Sequence, residues 1–282
     1  MKNRHVLVLS ALLGLLFSSC KKSDVSGDLK PSTLTASAKA STASLLPLTT
    51  TNPHLAYEET VEGVSPFSTA RLLEIGSLDY ALNFVTNPFY EGLKSARFEI
   101  HKDQPLVNNG IRSQVDIVNG SLGDISREAW YSFACYFPSS DYEFDNEEEC
   151  LNEWSQNGVS CTSLCTGGNR LILKCGGSVT NRDVYDLGSI TKDKWCQFVF
   201  HFIHSCGSDG LCEVWCNGNR IVSRSGANMC NDVLPTWKIG LCKDFKDPGS
   251  RIVSRAICYD NIRCGKDDAT YDDMCGVPPT SR

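Results

Sequence analysis

The chain of 282 residues carries 41% hydrophobic and 21% charged side chains, an ordinary globular balance that excludes disorder throughout and collagen-like or coiled-coil character. Its 27 basic against 33 acidic residues argue against nucleic acid as a partner, since a general nucleic-acid binder carries a basic footprint. Fifteen cysteines are more than a reducing cytosol usually tolerates.

Lys2 and Arg4 start the chain, Val6 to Phe17 form an apolar run, and Ser18-Ser19-Cys20 follow. The run is shorter than the roughly 20 apolar residues that a spanning helix needs. The pattern resembles a bacterial lipoprotein signal over 1–19, with Cys20 as the lipidated first residue of the mature chain. Contact with the membrane is then through the lipid anchor only, and the location is the bacterial cell envelope, in the outer membrane or periplasm. The mature chain keeps 25 basic and 33 acidic residues, a formal charge of −8, so lipid and not a basic patch makes the anchor. Residues 20–52 are rich in Ser, Thr, Ala and Lys and contain no aromatic side chain, which marks a flexible tether. One domain over 53–282 remains, and it is expected to be a monomer.

Within it the pattern is β: short alternating runs bounded by Gly, Asn, Asp and Pro, with no long helical period. Predicted strands are 95–100, 110–118, 129–137, 170–175, 194–205, 211–216, 219–224, 236–242 and 254–264. Asn217-Gly218 joins two of them as a hairpin, because both turn positions require positive φ. Strands of this number and spacing predict an all-β sandwich of two antiparallel sheets. Alternation puts Phe198, Phe200 and Phe202 on a core face, with Gln197, Val199 and His201 opposite. Likewise Arg112, Gln114 and Asp116 share a face, as do Arg97 and Glu99. From periodicity alone these polar faces read first as a solvated outer sheet, with groups able to bind sugars or acids as the alternative.

The segments "TNPFYEGLKSARFEI", "GIRSQ", "AWYSFACYFP", "LNEWSQ", "KWCQFVFHFIHS", "DGLCEVWCNGNRIVSRSG", "WKIGLCK" and "CYDNIRCG" resemble, in this order, a family of bacterial and fungal polysaccharide lyases. That family has a concanavalin A-like β-jelly-roll fold and is related to glucuronan and heparin lyases and more distantly to alginate lyases. The resemblance runs from about residue 83 to 265 and implies β-elimination on an anionic, uronate-containing polysaccharide. Such chemistry must neutralise the uronate carboxylate, remove the C5 proton and protonate the departing O4.

The resemblance implies Arg112, Gln114, Glu153, His201 and Lys238 as catalytic residues, with Arg97, Trp154, Gln197, Trp237 and Cys242 as substrate-binding ones. The two tryptophans are expected as sugar-stacking platforms. Two departures matter: Ser155 stands at the family's histidine and Cys242 at its tyrosine. His201 is left as the candidate base, or else a hydrogen-bonded surface histidine, while His204 faces the core. No cofactor is required. Jelly rolls of this kind often hold a structural calcium, for which Glu58 or Glu59 with Asp260 offers hard oxygen ligands; the alternative is ordinary surface carboxylates.

Apart from Cys20, fourteen cysteines lie between Cys135 and Cys275, enough for seven disulfides, with buried free thiols as the alternative for some. "CTSLC" at 161–165 has zinc-like spacing but no second pair to complete a site. Three readings remain open: a surface polysaccharide lyase, a catalytically decayed relative that binds glycan without cleaving it, and a structural lipoprotein.

Overall fold

The computed structural model describes residues 50–243 and 252–275; Cys20 and the proposed signal and tether up to residue 49 lie outside the described residues. Fifteen strands and one short helix follow in chain order: β1 (Leu55–Glu59), β2 (Leu72–Glu74), β3 (Leu82–Val85), β4 (Ser95–His101), β5 (Ile111–Asn119), β6 (Glu128–Tyr136), β7 (Glu149–Gln156), β8 (Val159–Gly167), β9 (Arg170–Ser178), β10 (Asn181–Ser189), β11 (Trp195–Ile203), β12 (Leu211–Cys216), β13 (Asn219–Ser225), β14 (Thr236–Lys243), β15 (Ser254–Gly265) and α1 (Tyr271–Met274). They form two antiparallel sheets. One has the order β13-β12-β11-β6-β15-β4-β3, with β1 also on β15, and the other β10-β9-β8-β7-β14-β5-β2. Non-sequential neighbours such as β6-β15-β4 make this the jelly-roll sandwich expected from the sequence.

All nine predicted strands are present, and Asn217 and Gly218 hold positive φ at the β12–β13 turn. Phe198, Phe200 and Phe202 are wholly buried between the sheets, where they meet Phe133, Trp154 and Trp237. Each such side chain contributes about 1.5–3 kcal/mol of burial. The outer face of β11 is itself partly covered, since Val199 packs with Leu55, Ala269 and Met274 under β1 and α1. β1, β2, β3, β7, β8 and β10 are strands beyond the nine expected from the sequence.

Gly240 is one position where the backbone excludes a side chain. Its φ is +126°, and a Cβ would lie 2.2 Å from the Ser113 carbonyl oxygen and 2.8 Å from the Gln114 Cα. The β14–β7 register slips between Ile239 and Cys242, so the glycine sits in a bulge in the middle of the sheet that carries the site. Tyr259 steadies this bulge from the core by donating its hydroxyl to the Gly240 and Leu151 carbonyls.

Among the described residues there is one disulfide, Cys161–Cys230, and twelve cysteines are free thiols. Seven bridges are therefore not formed, and Cys161 is unavailable to zinc. Cys135, Cys212 and Cys264 are fully buried in the core as small hydrophobes. The Sγ atoms of Cys196 and Cys216 approach to 2.9 Å across neighbouring strands.

Candidate active site on the seven-stranded sheet

Alternation along β5 and register with β14 build the site. Pairing of Lys238 with Asp116, Gly240 with Gln114 and Cys242 with Arg112 brings the outward side chains of the two strands side by side. β7 adds Glu153, opposite Lys238 on the other edge of β14. β2 adds Glu74, opposite Gln114. Four of the five residues expected to be catalytic, Arg112, Gln114, Glu153 and Lys238, thus share one face with Cys242.

A chain of charges runs through them. Arg112 Nη1 donates to Glu74 Oε2 at 2.9 Å, Lys238 Nζ donates to Glu74 Oε1 at 3.0 Å, and Lys238 Nζ lies 3.3 Å from Asp116 Oδ1. Asn108 Nδ2 donates a further hydrogen bond of 2.7 Å to Glu74 Oε1. Glu153 accepts from Ser160 Oγ at 2.6 Å and from Gln114 Nε2 at 3.5 Å. Arg112 Nε, Gln114 Oε1 and Asp116 Oδ1 are buried without a hydrogen bond, three such polar atoms within one site.

Burial and neighbours set the protonation states. Burial pushes the Asp116 carboxyl up to about 6; Lys238 opposes this and Glu74 adds to it. Burial works against the Lys238 ammonium, but the Asp116 and Glu74 carboxylates outweigh it and hold its pKa above the usual lysine range. For Glu74, burial favours protonation, yet Lys238 and Arg112 together keep it below the ordinary glutamate range. The Cys242 thiol is pushed up to about 11, chiefly by burial, so it is a neutral thiol at physiological pH and a poor proton carrier.

Two pockets flank the charge chain. A 600 Å³ pocket at one end is lined by Lys102, Leu106, Asn109, Gly110, Arg112, Cys242 and neighbours, and a 200 Å³ pocket at the other by Asp116, Asn119, Ser121, Ser155, Asn157, Thr236 and Lys238 among others. Asn108 and Asn109, both at positive φ, turn the chain ahead of β5, and the Arg112 guanidinium folds over Gly110, where a Cβ would meet Nη2 at 2.8 Å. Gln104 fixes the same loop by donating to the Arg112 carbonyl at 2.9 Å.

The remaining sequence-derived candidates lie elsewhere. Arg97, Gln197 and His201 belong to the eight-stranded sheet. Arg97 pairs with Glu99 and Asp141. His201 stacks on Trp130 with ring centroids 4.0 Å apart, between Glu128 at 2.9 Å and Glu213 at 3.1 Å. The side-chain period is the same in both sheets, so alternation could not tell which strands would be neighbours. His201 is therefore no base for a substrate on the Arg112 face. Trp154 and Trp237 are 2% and 0% exposed, hence core residues and not stacking platforms. Each follows or precedes an outward residue, Glu153 or Lys238, and must point inward. His204 is buried against Tyr131 Oη at 2.8 Å, and burial lowers its pKa to about 3, in keeping with a structural role.

The calcium ligands do not fit either. Glu58 Oε1 accepts from Arg263 Nε at 2.9 Å, and Glu59 caps the Val61 and Phe67 amides. Asp260 accepts the backbone amides of Tyr90, Glu91 and Asn261 at 2.8–3.1 Å. Their oxygens already face N–H donors, and no cluster of three or more metal-ligating side chains occurs among the described residues.

The sequence profile described as polysaccharide lyase matches residues 59–263, which span every element of the site. The chain belongs to the polysaccharide lyase family. No curated protein sequence matches it. Among solved structures, this lyase-family domain is similar to the endo-β-1,4-glucuronan lyase from the fungus Trichoderma reesei, at 14% identity and a TM-score of 0.60, covering 78% of this chain and 98% of that one. The catalytic domain of a GH131 β-glucanase from Podospora anserina follows at 12% identity and a TM-score of 0.50, covering 75% and 85%. At these identities the likeness establishes the fold, and function has to be argued from the site.

Glu74, Asp116 and Ser160 are site residues that sequence reasoning did not select. Asp116 was on the face of Arg112 and Gln114 and could have been chosen by parity. Asn108-Asn109-Gly110 is a turn signal that places a loop against the start of β5. Glu74 lies in a three-residue strand too short to show a period.

Proposed function

We propose that the protein is a lyase of the bacterial cell envelope, held there by lipid on Cys20, that cleaves a uronate-containing anionic polysaccharide by β-elimination. The observation that carries this reading is the buried Arg112–Glu74–Lys238–Asp116 charge chain, set between two pockets on one sheet face. Arg112, whose side chain keeps 17% of its exposure, is the group suited to hold the uronate carboxylate, with the fully buried Gln114 behind it; neutralising the carboxylate makes the C5 proton more acidic. Glu153, 3.5 Å from Gln114 and fixed by Ser160, takes that proton. The electron pair forms the C4–C5 double bond, the C4–O4 bond breaks, and the Lys238 ammonium gives its proton to O4. Glu153 then returns its proton to solvent and Lys238 regains one. Its raised pKa keeps Lys238 charged at neutral pH, as a proton donor must be before the reaction.

The test is ultraviolet detection of unsaturated ends, with the mature domain and a panel of uronate polymers. Arg112→Ala, Glu153→Gln and Lys238→Met are each expected to lower turnover by at least about 100-fold, the usual scale for a proton carrier or a charge stabiliser. Full activity in any of the three would remove that residue from the mechanism. A glycan-binding protein without lyase activity is the second reading. It is favoured by one observation: among the described residues neither pocket has a His or Tyr in its lining. Binding without unsaturated product would select it.

A further inference from the structure

The free thiols differ in what they touch and in whether a reagent can reach them. Cys135, Cys212 and Cys264 are wholly buried. Cys196, at the start of β11, and Cys216, at the end of β12, are half-buried at the edge of the core. Cys216 pairs in register with Phe198, two residues along from Cys196, so both side chains lie on the core face of their sheet. Their Sγ atoms are 2.9 Å apart. A disulfide bond is about 2.05 Å long, so closing this gap takes less than about 1 Å of approach. The backbone already holds the two strand ends together: Asn217 N donates to the Gln197 carbonyl, and Asn217 Oδ1 accepts from Gln197 N, both at 2.9 Å. The hydrogen bond from Cys196 holds the Cys216 thiol below the ordinary cysteine range against its burial, while the Cys196 thiol is raised by the same bond and by burial. One sulfur of the pair is thus the readier nucleophile, and the other stands where it can resolve the product.

We infer that Cys196 and Cys216 are a modification site, a dithiol that a disulfide oxidant of the glutathione or dithiol-oxidoreductase class converts to a second bridge in an oxidising compartment. The compartment rests on the envelope location proposed above; the pairing rests on the geometry alone. Cys216 loses its proton to solvent, and its thiolate attacks one sulfur of the oxidant's disulfide. A mixed disulfide forms, and the other sulfur of the oxidant leaves as a thiolate and takes up a proton. The Cys196 sulfur, giving up its own proton, then attacks Cys216, forming the Cys196–Cys216 bond and expelling the second oxidant sulfur, which is protonated in turn. Two protein thiols are oxidised and one disulfide is reduced to two thiols. Cys135 lies opposite Cys196 on β6 and is the rival partner, but it is wholly buried, and burial raises its thiol well above the ordinary range. The bridge would staple β12, and with it the edge strand β13, to β11 inside the eight-stranded sheet.

The full-length protein is taken from the envelope fraction, and a purified sample is incubated with oxidised glutathione. Both are alkylated under denaturing conditions, digested without reduction and mapped by mass spectrometry. A Cys196–Cys216 linked peptide is expected in both. Cys196 and Cys216 both alkylated after oxidised glutathione overturns the inference, as does a Cys135–Cys196 link in its place. The linked peptide with glutathione but two alkylated thiols in the envelope sample leaves the pairing standing and removes the envelope location instead. Cys216→Ser gives the second readout. Cys196 and Cys216 are 20 residues apart, and cross-linking a loop of this length adds about 6–12 °C to the Tm of a domain of this size. Reduction is therefore expected to lower the Tm of the wild type by that much more than the Tm of Cys216→Ser, in which only Cys161–Cys230 is left to lose. Equal losses in the two proteins overturn the part given to stapling the hairpin.

Discussion

Glu74→Gln tests the centre of the charge chain. Glu74 is 4% exposed and accepts from Arg112 at 2.9 Å, Lys238 at 3.0 Å and Asn108 at 2.7 Å. Removing one partner of a buried ion pair costs about 3–5 kcal/mol, because the charge left behind is neither solvated nor paired. Lys238 keeps Asp116 at 3.3 Å, and the Arg112 side chain retains 17% of its exposure to solvent, so the lower end applies, about 3 kcal/mol. For a domain of this size, that is a fall in Tm of about 6–12 °C. A second readout separates charge from packing. The Glu74 carboxylate is one of the groups that raise Asp116 above its ordinary range, so in the variant the Asp116 carboxyl should titrate at lower pH, visible by carbon NMR. A Tm within about 2 °C of wild type together with an unmoved Asp116 titration would show that Glu74 is not the electrostatic centre of the site.

Three further outcomes are expected. His201→Ala should leave cleavage of any accepted polymer within about threefold of wild type, because the ring lies on the other sheet and supports Trp130; a 100-fold loss would return His201 to the mechanism. Asp116→Asn should gain stability relative to wild type as pH rises. The native carboxyl titrates near 6, above its ordinary 3.8, so its contribution is complete below about pH 4 and is lost through pH 6, by on the order of 3 kcal/mol, and the amide does not ionise. Urea unfolding at pH 4 and pH 7 measures this, and a stability difference between variant and wild type that is the same at both pH values would refute it. Cys20→Ala should release the full-length protein from the membrane fraction, and unchanged fractionation would refute the lipid anchor.

Strands such as β11 and β14 were legible because aromatic or aliphatic residues at every second position face the core between the sheets and leave a period of two in the sequence. β8 and β10 were not, since "VSCTSLCTG" has small polar residues on both faces and "NRDVYDLGS" leaves Val184 exposed. The same period placed Arg112, Gln114 and Asp116 together. It could not assign Arg97, Gln197 and His201 to the other sheet, because that depends on long-range pairing such as β5 with β14 across more than 100 residues. Trp154 and Trp237 were a misuse of legible information: their neighbours Glu153 and Lys238 point outward, so parity sends both indoles to the core.

The Cys161–Cys230 bridge fastens β8 to the segment before β14, whose Val233 and Leu234 form one wall of the smaller pocket. Gln156 clamps the same segment a second time, donating to the Asn231 carbonyl and accepting from the Cys230 amide. Held at two points, the short stretch between them and β14 can change its residues without changing its path. The lining of that pocket is thus open to mutation while the strands that carry Lys238 and Asp116 stay in register. The bridge thus ties the wall of the pocket to β8 separately from the strand pairing that carries the charge chain.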